Sequence, residues 1–178
     1  MQGRWVFITV LGLTVNMQDS RAADPKAMRQ LDNYGQFQTC PNCDLQGANL
    51  KDRFLRLANL PGVNLTGANL SGADLTSAIL WDAKLGNADF TFANLSGTMM
   101  ERADASGANF SNAWIVFTLA KNVRFGRANF TGARIRGLQV QGADLSEAIG
   151  LDRQDLKRAC GDAETKLPPG YEIGFCVE

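Results

Sequence analysis

Between residues 43 and 147 a large apolar side chain returns at every fifth position. From Leu45 to Leu145 there are 21 such sites, and 19 hold Leu, Phe, Ile, Met or Val; the exceptions are Ala105 and Ala120. The slot two residues earlier is Ala at 14 of its 21 sites, with Cys43, Val63, Thr98, Thr118, Val123 and Leu138 as partial fits and Arg53 as the outlier. An α-helix advances about 100° per residue, so a five-residue repeat rotates about 140° and scatters its apolar positions around the axis. A flat strand has a period of two and throws successive repeats onto opposite faces. The chain must therefore turn a corner within each repeat so that every central residue points inward, which is the pattern of a solenoid.

The repeat shows in its clear form in segments such as Ala48-Asn49-Leu50, Ala68-Asn69-Leu70, Ala73-Asp74-Leu75, Ala88-Asp89-Phe90, Ala108-Asn109-Phe110, Ala128-Asn129-Phe130 and Ala143-Asp144-Leu145. They resemble the pentapeptide repeat family, whose pattern is Ala-Asp/Asn-Leu-x-x, over residues 43–147 without insertion. The resemblance implies an all-β fold, a right-handed quadrilateral β-helix with four repeats and about 20 residues per coil. Stacked at the strand spacing of about 4.8 Å, the repeats make about five coils and a rod about 25 Å long.

That spacing sorts the sequence into columns. Leu50, Leu70, Phe90, Phe110 and Phe130 form one interior column, and Leu55, Leu75, Leu95, Ile115 and Ile135 another. In the column Leu45, Leu65, Leu85, Ala105, Phe125, Leu145, small Ala105 lies beside bulky Phe125, the exchange of volume that a close-packed interior requires. Outside, Asn64, Lys84, Asp104, Arg124 and Asp144 are expected to form a ladder of alternating charge that sets register. Asp82 with Arg102, and Arg127 with Glu147, repeat the pattern, although scattered surface charge accounts for those two pairs equally well.

One outer column breaks the polar rule. Asn59, Ile79, Met99, Leu119 and Gln139 place three apolar residues in succession, flanked by Pro61 and Trp81 on one side and by Leu57 and Phe117 on the other, with Trp114 and Val116 around the adjoining corner. A contiguous apolar patch of this kind marks a contact surface. Leu57, Ile79, Trp81, Met99, Phe117 and Leu119 are therefore the expected interaction face, for a protein partner or for self-association, unless the ends of the chain fold back over it.

The remaining segments read as a leader and two caps. Arg4 precedes an apolar run from Trp5 to Val15, and Ser20-Arg21-Ala22 offers a peptidase site, so residues 1–22 are expected to be a signal peptide. The run is too short to span a bilayer, and no later stretch could do so. Residues 23–42 are the N-terminal cap, with Asp24-Pro25 opening a helix over 24–34 in which Met28, Leu31 and Tyr34 share a face. Residues 148–178 are the C-terminal cap and tail: Asp152, Asp155, Leu156, Ala159 and Gly161 describe a short second helix, and Lys166 to Gly170 runs extended. An exposed apolar interior at both solenoid ends calls for such plugs.

Export would place the four cysteines in an oxidising compartment. Cys160 and Cys176 are expected to bridge the tail. Cys40-Pro41-Asn42-Cys43 is a C-x-x-C at the first coil, open to three readings: a structural disulfide, two small interior residues, or an active dithiol. Zinc held by all four thiolates would need a second close pair, which the spacing of Cys160 and Cys176 does not provide.

Composition narrows function further. Lys+Arg and Asp+Glu are 18 each, so no net field favours nucleic acid or an anionic membrane. Histidine is absent, which removes imidazole acid-base work, Ser-His and Cys-His nucleophiles and His-containing metal sites. No cofactor site is expected. The sequons at Asn64, Asn94, Asn109 and Asn129 arise from the repeat itself and carry little weight for glycosylation. The leading expectation is a non-enzymatic, exported, periplasmic or secreted scaffold that binds protein through a flat face. Two alternatives come from other classes. Some pentapeptide repeat proteins mimic B-form DNA and protect a topoisomerase, which would call for a strongly acidic rod. A thiol-disulfide oxidoreductase would work through Cys40 and Cys43.

Overall fold

Every fifth residue from Asn42 to Gly142 has a positive φ. A type II turn demands this at its third position, and most of these turns are closed by a backbone bond such as Ala48 N–H to the Leu45 carbonyl, 3.0 Å. Glycine, Asn and Asp fill most of these corners because they tolerate the left-handed region. The straight step between corners is too short for a long strand. It holds one ladder contact per side, and each contact joins residues 20 apart in parallel: Asn49 to Asn69, Asn69 to Asp89, Asp89 to Asn109. Four corners per coil close the rung into a square. The all-β character is therefore carried mainly by single bridges. Regular strands appear as β1 (Trp114–Val116) beside β2 (Arg134–Arg136), and as β3 (Cys160–Gly161) beside β4 (Gly174–Phe175). The computed structural model describes residues 23–31 and 38–177; the expected leader and part of the expected N-terminal cap, Tyr34 included, lie outside the described residues.

The four sides are named by their first central residue: first face Leu45, second Leu50, third Leu55, fourth Leu60. All 21 central residues are buried, and nearly every slot two residues earlier is buried with them. Each Leu or Phe so buried contributes about 1.5–3 kcal/mol, which makes the columns the main source of stability. Phe90, Phe110 and Phe130 stack with ring centroids 5.1 Å apart at each step. Phe125, beside Ala105, lies edge-on to Phe110 at 6.0 Å and to Phe130 at 5.4 Å. On the fourth face Ala120 is matched by a large Leu138 in the small slot, the same exchange of volume. Thr98 and Thr118 occupy that small slot fully buried, because their hydroxyls donate to the Leu75 and Leu95 carbonyls at 3.0 and 2.7 Å.

The outer Asn/Asp slot has a job that the repeat alone does not announce. Its side-chain oxygen accepts the N–H two residues on, as from Asn69 to Ser71 at 3.0 Å and Asp144 to Ser146 at 3.0 Å, pinning the corner as an Asx-turn. Where Ser or Thr sits at that corner its hydroxyl joins, and on the second face the bonds link into one directed chain. Thr131 donates to Asn129 (2.7 Å), Asn129 to Ser111 (2.9 Å), Ser111 to Asn109 (2.6 Å), Asn109 to Thr91 (2.8 Å), and Thr91 to Asp89.

Charges pair between rungs. Asp82 and Arg102 form a bidentate pair at 2.7 Å, and Arg127 meets Glu147 at 3.2 Å. The expected continuous ladder on the first face resolves instead into separate contacts. Asp104 takes Arg124 at 2.6 Å, Asp144 takes Lys166 at 3.6 Å, Asn64 donates to Asp44 at 2.9 Å, and Lys84 makes no ion pair among the described residues. A cation reaches one neighbour, so an alternating column breaks into dimers. Arg102 beside Asp82 holds that carboxyl below its ordinary value. Burial pushes Asp104 up, but bonds from the Ser106 hydroxyl and from Arg124 outweigh it, and the Ser146 hydroxyl and N–H lower Asp144. A carboxyl depressed on folding stabilises above its unfolded pKa and loses that contribution as pH falls through the folded one. With no histidine in the chain, the melting temperature is expected to stay flat from about pH 8 to 5 and to fall below about pH 4. Thermal melts monitored by circular dichroism across that range check it.

Helix α1 (Pro25–Leu31) follows Asp24, whose carboxylate accepts the Lys26 N–H at 2.9 Å and whose own N–H bonds the Asp44 carbonyl at 3.0 Å. Ala27 and Leu31 are buried against the core. At the other end α2 (Arg153–Leu156) is capped by Asp152, which accepts the N–H groups of Gln154 and Asp155. This helix is shorter than the sequence suggested. Cys160–Gly161 leave it to rejoin the ladder beside Gln139 as β3, so Gly161 is a strand residue rather than a helix stop. The expected extended run from Lys166 is also interrupted. Pro169-Gly170 turns, with Gly170 at φ 78° and the Tyr171 N–H bonding the Pro168 carbonyl at 3.2 Å, which brings β4 back onto β3. Leu151, Leu156 and Ala159 are buried beneath this tail, which Cys160–Cys176 fastens.

Candidate interaction face

The fourth face carries Asn59, Ile79, Met99, Leu119 and Gln139 as one unbroken bridge ladder, continued by Cys160. Their neighbours Leu60, Leu80, Met100, Ala120 and Val140 are buried, so alternation across the pleat turns the ladder residues outward. Ile79, Met99 and Leu119 are each half-buried, because stacking one rung apart shields their flanks while their tips face solvent. The apolar column thus lies where the twenty-residue map puts it.

Two corners frame the face. One is the column Leu57, Ser77, Gly97, Phe117, Gly137, in which Leu57 and Phe117 are 53% and 63% exposed. Both are bulky residues at positive φ, 57° and 54°. Such a backbone costs a side chain of this kind about 1–2 kcal/mol, and the exposed tips recover little of it by burial. The Phe117 ring lies across Gly137, where an added Cβ would come within 2.5 Å of it. Between Leu57 and Phe117 the same column holds the small residues Ser77 and Gly97, two positions before Ile79 and Met99. Replacing Leu57 with Gly is expected to leave stability unchanged or raise it by up to about 1 kcal/mol, the relief of the left-handed strain less the entropy of glycine. Urea unfolding measures this. A loss larger than about 1 kcal/mol would show that Leu57 serves the fold and not the surface.

The opposite corner holds Trp81, partly exposed, with Asp82, Glu101 and Arg102 beyond it. The structure therefore brings Leu57, Ile79, Trp81, Met99, Phe117 and Leu119 to one side of the rod, with none of the described end segments over them in the ladder. Trp114 and Arg134 continue the surface onto the third face, the guanidinium 5.2 Å from the ring. Repeat periodicity did not reveal the strained backbone at Leu57 and Phe117. A bulky apolar residue in a slot otherwise rich in Gly, Asn and Asp was the signal available.

The cysteines lie elsewhere. Cys40 is fully buried and paired with Cys43 in the first coil, and Cys160 is paired with Cys176 in the tail. Among the described residues no group of His, Cys, Asp or Glu is arranged to hold a metal ion, and no helix is long and apolar enough to cross a membrane.

A search of curated proteins finds no match to the chain. Among solved structures, the fold is similar to a pentapeptide repeat protein from the cyanobacterium Cyanothece 51142, at 19% identity and TM-score 0.53, covering 80% of this chain and 97% of that one. It is also similar to a trypsin-treated variant of QnrB1, a plasmid-mediated fluoroquinolone resistance protein, at 19% identity and TM-score 0.56, covering 76% of this chain and 77% of that one. The family description "Pentapeptide repeats" matches in eight copies over residues 43–82, 83–115 and 117–149. Those matches take in more than half of the sequence and coincide with the square coils, and on that ground the chain belongs to the pentapeptide repeat family.

Proposed function

We propose that the protein is a non-enzymatic, exported scaffold, wound in the right-handed sense that the family resemblance implies, and that it docks another protein on its fourth face. One observation carries this reading: Ile79, Met99 and Leu119 form an outward apolar column, bordered by Leu57 and Phe117 on strained backbone and by Trp81. A rod built for solubility alone would place polar residues there, as the first face does with Asp44, Asn64, Lys84, Asp104, Arg124 and Asp144. Arg4 and the apolar run that follows it support export to the periplasm or the medium, where both disulfides would persist.

Crosslinking in cell extract tests the docking face. The unaltered protein is expected to give discrete adducts that disappear in an Ile79→Ser, Met99→Ser, Leu119→Ser variant whose melting temperature is unchanged. The same adducts from both proteins would sink the reading.

Mimicry of DNA draws on the family, but Asp82, Asp104, Asp144 and Glu147 each face a cation one rung away, so these carboxylates do not line up as an acidic stripe. A gyrase-protection assay is expected to show no effect. Burial of Cys40 in the first coil argues against dithiol exchange, and insulin reduction is expected to stay at background.

A further inference from the structure

Although the net charge is zero, the cations are not evenly spread. Arg56, Arg102, Arg124, Arg127 and Lys166 each lie within ion-pair distance of a carboxylate. Lys84 and Lys121 are among the cations that make no such pair among the described residues, but at the C-terminal end of the corner between the third and fourth faces several unpaired cations gather. Arg136 pairs with Val116 across β1 and β2, and the Gly137 N–H bonds the Arg158 carbonyl at 2.7 Å. Arg136 and Arg158 therefore occupy successive rungs of one corner column. Arg134 is next but one on β2, and Lys157 ends α2 beside them. All four are exposed, and none makes an ion pair among the described residues. The nearby acids are otherwise engaged: the Asp152 carboxylate caps α2 by accepting the N–H groups of Gln154 and Asp155, and the Asp155 carboxylate accepts the Ile135 N–H at 3.4 Å. Like charges on adjacent rungs repel, so this cluster opposes folding slightly and has no internal counter-ion.

The cluster adjoins the apolar column directly, since Phe117 lies one step from Val116 and its ring rests on Gly137. Resting on the docking face proposed above, we infer that its occupant is an acidic, apolar-rich segment of a partner protein, laid along the fourth face with its apolar side chains over Met99 and Leu119 and its carboxylates over Arg136 and Arg158. Two considerations select this occupant. The face is six rungs long and one short step wide, roughly 25 Å by 15 Å, well below the roughly 800 Å² per partner of a stable dimer but enough for a segment of about eight extended residues. The unpaired arginines gather at one corner, while on the opposite side Arg102 is held by Asp82 and Lys121 is outnumbered by Glu101 and Asp162, so a nucleic acid or an anionic bilayer spanning the face would meet like charge there.

Random peptides displayed on phage and selected on the full-length protein test this. The expected consensus joins Asp or Glu to Leu, Ile or Phe. A synthetic peptide of that sequence is expected to lose at least about tenfold in affinity to an Arg136→Glu, Arg158→Glu variant, to lose as much to Met99→Ser, Leu119→Ser, and to weaken with added salt. The charge reversal exchanges one exposed like-charge pair for another and sets both carboxylates beside the cations Arg134 and Lys157, so its melting temperature should not fall, which separates lost binding from lost structure. Peptides that are apolar without acidic residues, sensitive to the Ser variant and indifferent to the Glu variant, would overturn the acidic occupant while leaving the docking face standing. Selection insensitive to both variants would overturn both. Co-sedimentation with phosphatidylglycerol vesicles that the Glu variant abolishes, without any acidic peptide consensus, would assign the cluster to a membrane and overturn the inference.

Discussion

Phe110→Asp is expected to abolish cooperative unfolding, leaving a chain without a folded baseline in urea. Phe110 is 1% exposed and lies between Phe90 and Phe130, with Phe125 against its edge. Removing the ring alone, as in Phe110→Ala, costs about 3–5 kcal/mol because stacked coils cannot collapse into the cavity. A carboxylate in the same place adds a desolvation cost that no neighbour offsets, and together these reach the whole stability of an ordinary domain, about 5–15 kcal/mol. In a solenoid each coil is supported only by the coils above and below, so a break at Phe110 separates the two halves of the rod. Phe110→Ala supplies the measurable version: a urea midpoint shifted by the equivalent of about 3–5 kcal/mol, read by circular dichroism. A shift under about 1 kcal/mol would mean that the aromatic column is not the core.

Removing the Cys160–Cys176 bridge by paired Ala substitutions is expected to cost about 3 kcal/mol, against about 2 kcal/mol for Cys40–Cys43, since a longer loop gains more unfolded-state entropy when opened. The larger effect also has a local cause. Cys176 holds β4 on β3, and that tail covers Leu151, Leu156 and Ala159 at the open end of the rod. Thermal melts with and without reductant should show the same ordering, with the fall in melting temperature under reductant reproduced by the two double substitutions combined. Equal effects at the two bridges would place the weak point of the rod elsewhere.

The interior was legible because the repeat is local and periodic: a large residue every fifth position with Ala two before it calls for a corner in each repeat, and the four repeats per rung that the family resemblance implies then place the phenylalanine stack and the outward Ile79–Leu119 column. The end of α2 and the path of the tail were not legible, because they depend on tertiary pairing. Gly161 follows a helix in sequence but is drawn into a rung by Gln139, and Pro169-Gly170 turns because β4 has a partner to reach. Outer charges were misread as a ladder because sequence shows alternation but not the single partner a side chain can hold, as Arg124 holds Asp104 and leaves Asp144 to Lys166. Net charge concealed the basic corner, since a sum carries no position. Of the candidate face, all six residues were identifiable, whereas the strained backbone under Leu57 and Phe117 was not.

The most direct measurement is a cysteine-pairing scan on the outer slots. Lys84→Cys is combined in turn with Met99→Cys, Asp104→Cys and Asn109→Cys, which lie on the fourth, first and second faces. Under mild oxidation only the pair with position 104 is expected to form an intramolecular disulfide, because adjacent rungs bring those Cα atoms within the roughly 4.4–6.8 Å that a disulfide spans. Bridging to 99 or 109 in preference to 104 would contradict the square twenty-residue rung, and with it the docking face and the basic corner.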